Sequence, residues 1–397
     1  MFGHKYKRLD EQVAVVEHQG IFRRKINLFQ AIALIVSATI GAGILGIPYA
    51  IAKVGLTIGM IYIVGLGLLL MALNLMLGEV ATRTSSNLHL VGLAKKYLGR
   101  SGEWFITILF YAMLFGILLV YIIGEGVALS SLFGGTSFMW SLIFFAIGTC
   151  LIFIGLRTIK TVEFFLSLLI LAVVLIIAAV SYQHVEITNV NYHNLAYLLF
   201  PFGIILFAFN GTNSIPEAHR VLQNADKNFK WAIIISGFIN IIIYALFAFI
   251  VVGVTGSQTT ELATIGLGDK LGPLMHIFGN IFAIVAMGSS FLMAGLALRD
   301  SLHWDYKIPA WLASTVTCFV PLLIFLLGLT QFIVVIDIVG GVIISSQLLL
   351  IILIYWRAKT KGDLKPTAFK LHHTLLLAVL LILALVIGAV YSVVKLF

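Results

Sequence analysis

Long apolar runs separated by short polar connections make up almost the whole chain. The runs fall at about 28–52, 56–80, 103–131, 138–156, 161–182, 194–217, 230–254, 273–298, 308–327, 331–356 and 371–394. Most reach the roughly 20 residues that an α-helix needs to cross a bilayer core, so the pattern predicts eleven transmembrane helices. The ninth and tenth are joined only by Gly328-Leu329-Thr330 and are divided on length, since 308–356 is too long for one crossing. Within the connection after span 2, the apolar positions and lysines of Leu88–Leu98 suit a short helix lying in the interface. No connection is long enough to house a separate aqueous domain, so the function must be built within the spans.

Composition places the chain in the same class. With 61% hydrophobic and 10% charged residues and a mean hydropathy of +1.10, it reads as an all-α polytopic membrane protein and not as a soluble domain. Cys150 and Cys318 both lie in apolar runs, which excludes a disulfide framework. The net charge of +9 has a topological meaning. Apart from Lys53, Lys270 and Lys395, every lysine and arginine falls in the N-terminal tail or in connections after even-numbered spans. The positive-inside rule then puts the N-terminus in the cytoplasm and the C-terminus outside the cell membrane. Basic residues confined to connections give nucleic-acid binding no support. The organisation expected is a cytoplasmic tail (1–27), a core (28–356) and an additional helix (371–394).

Two spans carry helix breakers where a helix should be continuous. In span 1, Gly41, Gly43, Gly46 and Pro48 fall in the middle of the apolar run, although Gly costs roughly 1 kcal/mol and Pro roughly 3 kcal/mol inside a helix. Span 6 opens on Phe200-Pro201-Phe202-Gly203 and breaks at Phe207-Ala208-Phe209-Asn210-Gly211-Thr212-Asn213-Ser214-Ile215-Pro216. Unwound backbone at membrane depth persists only where neighbouring helices or a ligand satisfy its freed groups. Close packing through small residues is the plain alternative for Gly41 and Gly43, but it leaves Pro48 unexplained. If 28–182 and 194–356 are two repeats of five spans, the breaks fall on the first helix of each, the pattern of inverted-repeat transporters.

The residues Gly41-Ala42-Gly43-Ile44-Leu45-Gly46-Ile47-Pro48-Tyr49-Ala50, with Lys53-Val54-Gly55-Leu56, resemble the first-helix signature of the amino acid/auxin permease family of the amino acid–polyamine–organocation superfamily. Ser289-Ser290-Phe291-Leu292, with Asp300 closing the helix, is similar to span 8 of bacterial hydroxy/aromatic amino acid permeases. The resemblance runs over essentially the whole chain. It implies a five-plus-five inverted-repeat fold and secondary active transport of amino acids.

An amino acid brings a carboxylate and an ammonium, and a broken helix offers amides at the start of one half and carbonyls at the end of the other. The carboxylate is assigned to the amides of Ala42 and Gly43, with Gly41 allowing the turn and Tyr121 offering its hydroxyl. Carbonyls of Thr39, Phe207, Ala208 and Asn210 are expected to take the ammonium, with Phe207 or Phe209 as an aromatic gate. The coupling ion is left open between sodium and a proton. Sodium, a hard cation, would be held by oxygens: the carbonyls of Ser37 and Ile40 and the hydroxyls of Ser289 and Ser290. For those two serines the ordinary alternative is a bond to a carbonyl one turn back. Glu125 and Asp337 are the gate or proton candidates, with Lys53 a possible partner for Asp337. Glu79, Glu163 and Glu217 near cytoplasmic ends are read as functional or as merely capping, and Lys160 as a basic flank. No metal-spaced cluster or nucleophile–base pair points to an enzyme, and neither a cofactor nor an obligate protein partner is expected. A non-transporting amino acid sensor or a channel of the same fold is the rival reading.

Overall fold

The computed structural model describes residues 27–86, 88–155, 159–222, 225–365, 369–371 and 374–395, with the backbone alone at 42, 159–168, 221, 225–227 and 304–305. The tail expected at 1–27 lies, but for Asn27, outside the described residues, as do the side chains of Ala42, Lys160 and Glu163.

The described chain is helical throughout its ordered elements. In order these are α1 (Leu28–Thr39), α2 (Ile47–Val54), α3 (Leu56–Thr82), α4 (Leu90–Phe133), α5 (Ser137–Ile154), α6 (Ile159–Ser181), α7 (Pro201–Ala208), α8 (Ser214–Val221), α9 (Ala225–Thr255), α10 (Ala263–Leu271), α11 (Pro273–Asp305), α12 (Ala310–Leu326), α13 (Phe332–Ile338), α14 (Ser345–Lys361) and α15 (Thr374–Val394). Seven helices are long and apolar enough to cross a membrane, or eight if α1 and the following 43–54 stretch, bent by 53°, are one broken span. Leu169–His184 and Ala310–Leu326 are shorter apolar helices. Between α12 and α13 the chain turns at Gly328, whose φ of 104° suits glycine.

Other punctuation follows local chemistry. Pro48, Pro201 and Pro273 each fall in the first turn of a helix, where the missing N–H costs nothing. Gly99, at φ 77°, kinks α4 and sets off its first nine residues as an arm. That arm buries Leu90, Leu93, Ala94 and Tyr97, which share one helical face. Helices α4 and α11 run antiparallel in a fixed register, with Ser131 bonded to His276 near one end and Tyr111 to Ser301 near the other. Helix α1 packs on α9, and α7 lies against α13 and the π-helical turn Val339–Ile344.

Two carboxylates fasten opposite ends of the bundle. At the basic end, Glu79 is wholly buried. It accepts from Arg83 Nε (2.9 Å) and Nη2 (2.7 Å) on one oxygen, and from Tyr355 Oη (3.1 Å) and the Leu371 N–H (3.0 Å) on the other. Every one of its partners belongs to the scaffold, so Glu79 is a structural tie between α3, α14 and the segment before α15. Nearby, Asp363 accepts from Ser85 and from Lys96, which holds its carboxyl below the usual range, at about 2. At the far end, Asp337 pairs with Lys395 Nζ (2.9 Å) and accepts from Ser392 Oγ (3.1 Å). The expected partner Lys53 is elsewhere: its ammonium lies 5.0 Å from the Tyr49 ring, within electrostatic reach of Glu261. Lys395 is reached because α15 packs along the π-turn that follows Asp337.

Candidate functional site

The site forms where the two interrupted helices cross. Helix α1 is opened by a capping box between Asn27 and Gln30 and ends at Thr39; the chain passes Ile40 in extended conformation before a 3₁₀ turn, Ala42–Gly46, leads into α2. Helix α7 ends at Ala208, and the chain resumes as α8 at Ser214. Glycine lets the two breaks touch. A Cβ on Gly43 would lie 2.8 Å from Ala208 Cα and 3.2 Å from the Phe207 ring, and one on Gly211 would collide with Thr39. Gly41 is different: at φ −117°, ψ −159° its backbone suits any residue, so the turn does not require a glycine there. Its freedom is one of space, since a Cβ would sit 3.7 Å from the Tyr121 hydroxyl.

Breaking a helix orphans amides and carbonyls, and the surroundings satisfy part of that demand. Tyr244 on α9, fully buried, directs its hydroxyl at the Thr39 carbonyl (3.0 Å) and the Ala208 carbonyl (2.8 Å). Its single proton is shared between the ends of the two broken helices. The Phe207 carbonyl accepts from the Asn210 N–H (3.2 Å), while the Asn210 side chain reaches Met113 Sδ (3.0 Å). Gly41 N–H bonds to Thr39 O and Ile44 N–H to Gly41 O, which leaves the amides of Ala42 and Gly43 at the start of the 3₁₀ turn.

A cavity of about 170 Å³ occupies this crossing. Of the expected substrate residues, Thr39, Gly41, Gly43, Tyr121, Phe207, Ala208 and Asn210 line it. The expected ion-site residues Ser37, Ile40, Ser289 and Ser290 line the same space. Ser289 Oγ also bonds to Ala286 O (3.1 Å), the one-turn-back contact expected of a helical serine. Of the two aromatic-gate candidates only Phe207 faces the cavity; Phe209 packs edge-on against the Tyr244 ring at 4.7 Å. Glu125 and Asp337 are not in the lining. Sequence reasoning missed Ile117, Ile170, Met293 and Ala294, which supply an apolar wall, and it missed Tyr244. A lone tyrosine within Ile241-Ile242-Ile243-Tyr244 was the one available signal.

Among the described residues no charged side chain lines the cavity, and its polar groups are backbone dipoles, hydroxyls and the Asn210 amide. Among the described residues no group of three or more His, Cys, Asp or Glu could hold a metal ion.

A membrane-embedded, dipole-lined cavity between two broken helices defines a permease-type protein. Residues 24–392 match the tryptophan/tyrosine permease family. The chain belongs to that family, a member of the amino acid–polyamine–organocation superfamily, and it is an integral membrane permease, not an enzyme. It is 24% identical over 350 residues to the tyrosine-specific transport system 1 of Haemophilus influenzae, covering 82% of this chain and 87% of that one. It is 27% identical over 289 residues to glutamine transporter 2 of Aliivibrio fischeri, covering 68% and 73%. In fold it is similar to a crystal structure of MhsT in complex with L-phenylalanine, with a TM-score of 0.66, 15% identity and coverage of 94% and 98%. A manganese transporter of Eremococcus coleocola gives a TM-score of 0.62 at 15% identity, covering 92% and 85%.

Proposed function

We propose that the protein is a secondary active transporter of neutral amino acids, coupled to an ion gradient and working by alternating access around the cavity. The observation that carries this reading is the cavity at the crossing of the two breaks, where amides, hydroxyls and carbonyls converge and, among the described residues, no charged side chain enters. A zwitterion needs two opposite partial charges a fixed distance apart, and the broken helices supply them as dipoles. The carboxylate meets the Ala42 and Gly43 amides and the Tyr121 hydroxyl. The ammonium meets carbonyls of Thr39, Phe207, Ala208 and Asn210, each of which has two lone pairs. Ile117, Ile170 and Met293 receive the side chain, and this apolar wall disfavours charged amino acids.

The remaining parts of the reading rest on pattern. Eleven spans arranged as five plus five inverted repeats, an inside N-terminus and an outside C-terminus follow from the apolar runs and the distribution of basic residues. The tie to amino acid/auxin permeases rests on the first-helix motif alone. With that orientation the conformation faces inward. The lining continues toward the basic end through Ser37, Ala38, Met293 and Ala294, while Ile204, Ile333 and Ile336 close around Gly46 on the other side. Sodium, if it is the coupling ion, sits among the Ser37 and Ile40 carbonyls and the Ser289 and Ser290 hydroxyls.

A thermal-shift screen of the twenty amino acids on the purified protein tests the site. Stabilisation confined to neutral amino acids is expected, and stabilisation by charged ones alone would contradict the dipole-lined assignment.

A further inference from the structure

We propose that Lys395 is a positioning residue for transport: it pins the outer halves of the two broken helices against α13, and the outer face opens only when that pin is released. The inference rests on the transport reading above and deepens it, because such a pin matters only if the outer face opens.

The contacts of Lys395 run in two directions. Its ammonium lies 2.9 Å from the Asp337 carboxylate on α13 and, at the same time, 4.2 Å from the centroid of the Phe200 ring, the residue that precedes α7. Phe200 in turn meets Tyr49 of α2 edge-on, with the ring centroids 6.1 Å apart. One ammonium thus joins α15 and α13 to the outer halves of both broken helices. The neighbouring seam needs such a tie. Gly203 of α7 faces Gly340 and Gly341 of the π-turn, and a Cβ on Gly203 would strike Asp337 and the Gly341 amide. At these points backbone meets backbone, and no side chain of one element interlocks with the other.

Place and surroundings mark the pair as a tie that can be released. It lies at the closed end of the molecule, since Asp337 directly follows Ile336, which with Ile333 and Ile204 shuts the space around Gly46. The π-turn Val339–Ile344, which contains both glycines, separates α13 from α14. Such a turn is a natural bending point in a helix. The side chain of Asp337 is only 5% exposed, whereas that of Lys395 is 32% exposed. The carboxylate therefore depends on Lys395 and Ser392 for as long as the outer end is shut, and it gains water once that end opens. Removing the ammonium penalises the shut state and leaves the open one nearly untouched. Glu79 at the basic end differs, because none of its four donors sits on a broken helix.

The test places Ile333→Cys in the full-length chain, with Cys150→Ala and Cys318→Ala, expressed in intact cells. A membrane-impermeant maleimide added outside reports, per inserted molecule, how often the outer end opens, and uptake of radiolabelled tyrosine is followed in the same cells. A buried charge pair with a ring contact is worth about one tenfold step in such an equilibrium. Lys395→Met should therefore speed labelling about tenfold and lower the external tyrosine concentration that half-saturates uptake. Lys395→Arg, which keeps both contacts, should label at the unsubstituted rate. A merely structural loss would reduce the amount inserted without speeding its labelling. Labelling of Lys395→Met at the unsubstituted rate, with tyrosine uptake present, would overturn the pin and leave transport intact. A wild type that takes up none of the twenty amino acids would remove the transport reading, and the pin with it. If Lys395→Met does not insert, Phe200→Leu decides: faster labelling supports the assignment, and an unchanged rate refutes it.

Discussion

Glu79 and Glu125 are equally buried, with no exposed surface on either, and their surroundings could hardly differ more. Glu79 is surrounded by an arginine, a tyrosine hydroxyl and a backbone amide, all fixed parts of the scaffold. Glu125 has packing around it and, among the described residues, no side-chain donor for its oxygens. Burial therefore says little about what a membrane carboxylate does, and the inventory of its donors says a great deal. A carboxylate with four hydrogen bonds is fixed in place by its donors, whereas one without them is held by packing alone.

The contrast is sharpest in stability. Glu79→Gln leaves Arg83 buried without its counter-charge, and losing one member of a buried pair costs about 3–5 kcal/mol. Glu125→Gln removes no ion pair and leaves an acceptor oxygen in place, and its stability should change by less than about 1 kcal/mol. Thermal unfolding of the two variants side by side checks this, and equal losses would erase the distinction.

The crossing of the breaks comes next in size. A valine at Gly43 meets the Ala208 backbone, and overpacking of this kind costs about 1–3 kcal/mol. Gly43→Val should therefore abolish the thermal shift produced by substrate as well as lowering stability. Gly65→Val is the proper control, because a Cβ there meets nothing within 4 Å. Gly67 would not serve, since its Cβ would press on Ile241 and Phe209 behind the site.

Tyr244→Phe withdraws the hydroxyl shared by the Thr39 and Ala208 carbonyls, for an expected loss of about 1–2 kcal/mol. Denaturation of the empty protein measures it, and an unchanged midpoint would mean that the two breaks do not depend on this tie.

The smallest effect lies at the exposed edge of the basic end. The Asp363 carboxyl is held down at about 2 by Lys96 and Ser85. A depressed acid contributes stability above its unfolded value near 4 and loses it as pH falls toward 2. On a surface this open the contribution is below about 1 kcal/mol. Comparing Asp363→Asn with the wild type between pH 5 and 2 should show a small difference at the upper end that vanishes at the lower.

Much of the architecture could be read from residue order because apolar length and helix breakers are local signals. Pro48 and Pro201 mark the first turns of α2 and α7, and Gly328 marks the turn between α12 and α13. The lining residues around the first break were legible for the same reason. Contacts made across the bundle were not. Lys395 meets Asp337 from 58 positions away, and Leu371 donates to Glu79 across 292. Tyr244 looked like any aromatic in an apolar helix, because its role depends on two carbonyls contributed by other helices. Gly41 was read as a turn residue, although its backbone angles suit any side chain.

Uptake of radiolabelled tyrosine by the reconstituted protein under combined inward sodium and proton gradients tests the central claim most directly. The account predicts an internal concentration that rises above the external one and collapses when both gradients are dissipated. Entry that stops at equal concentrations would indicate a channel, and binding without entry a sensor; either result would contradict active transport through the crossing of the two broken helices.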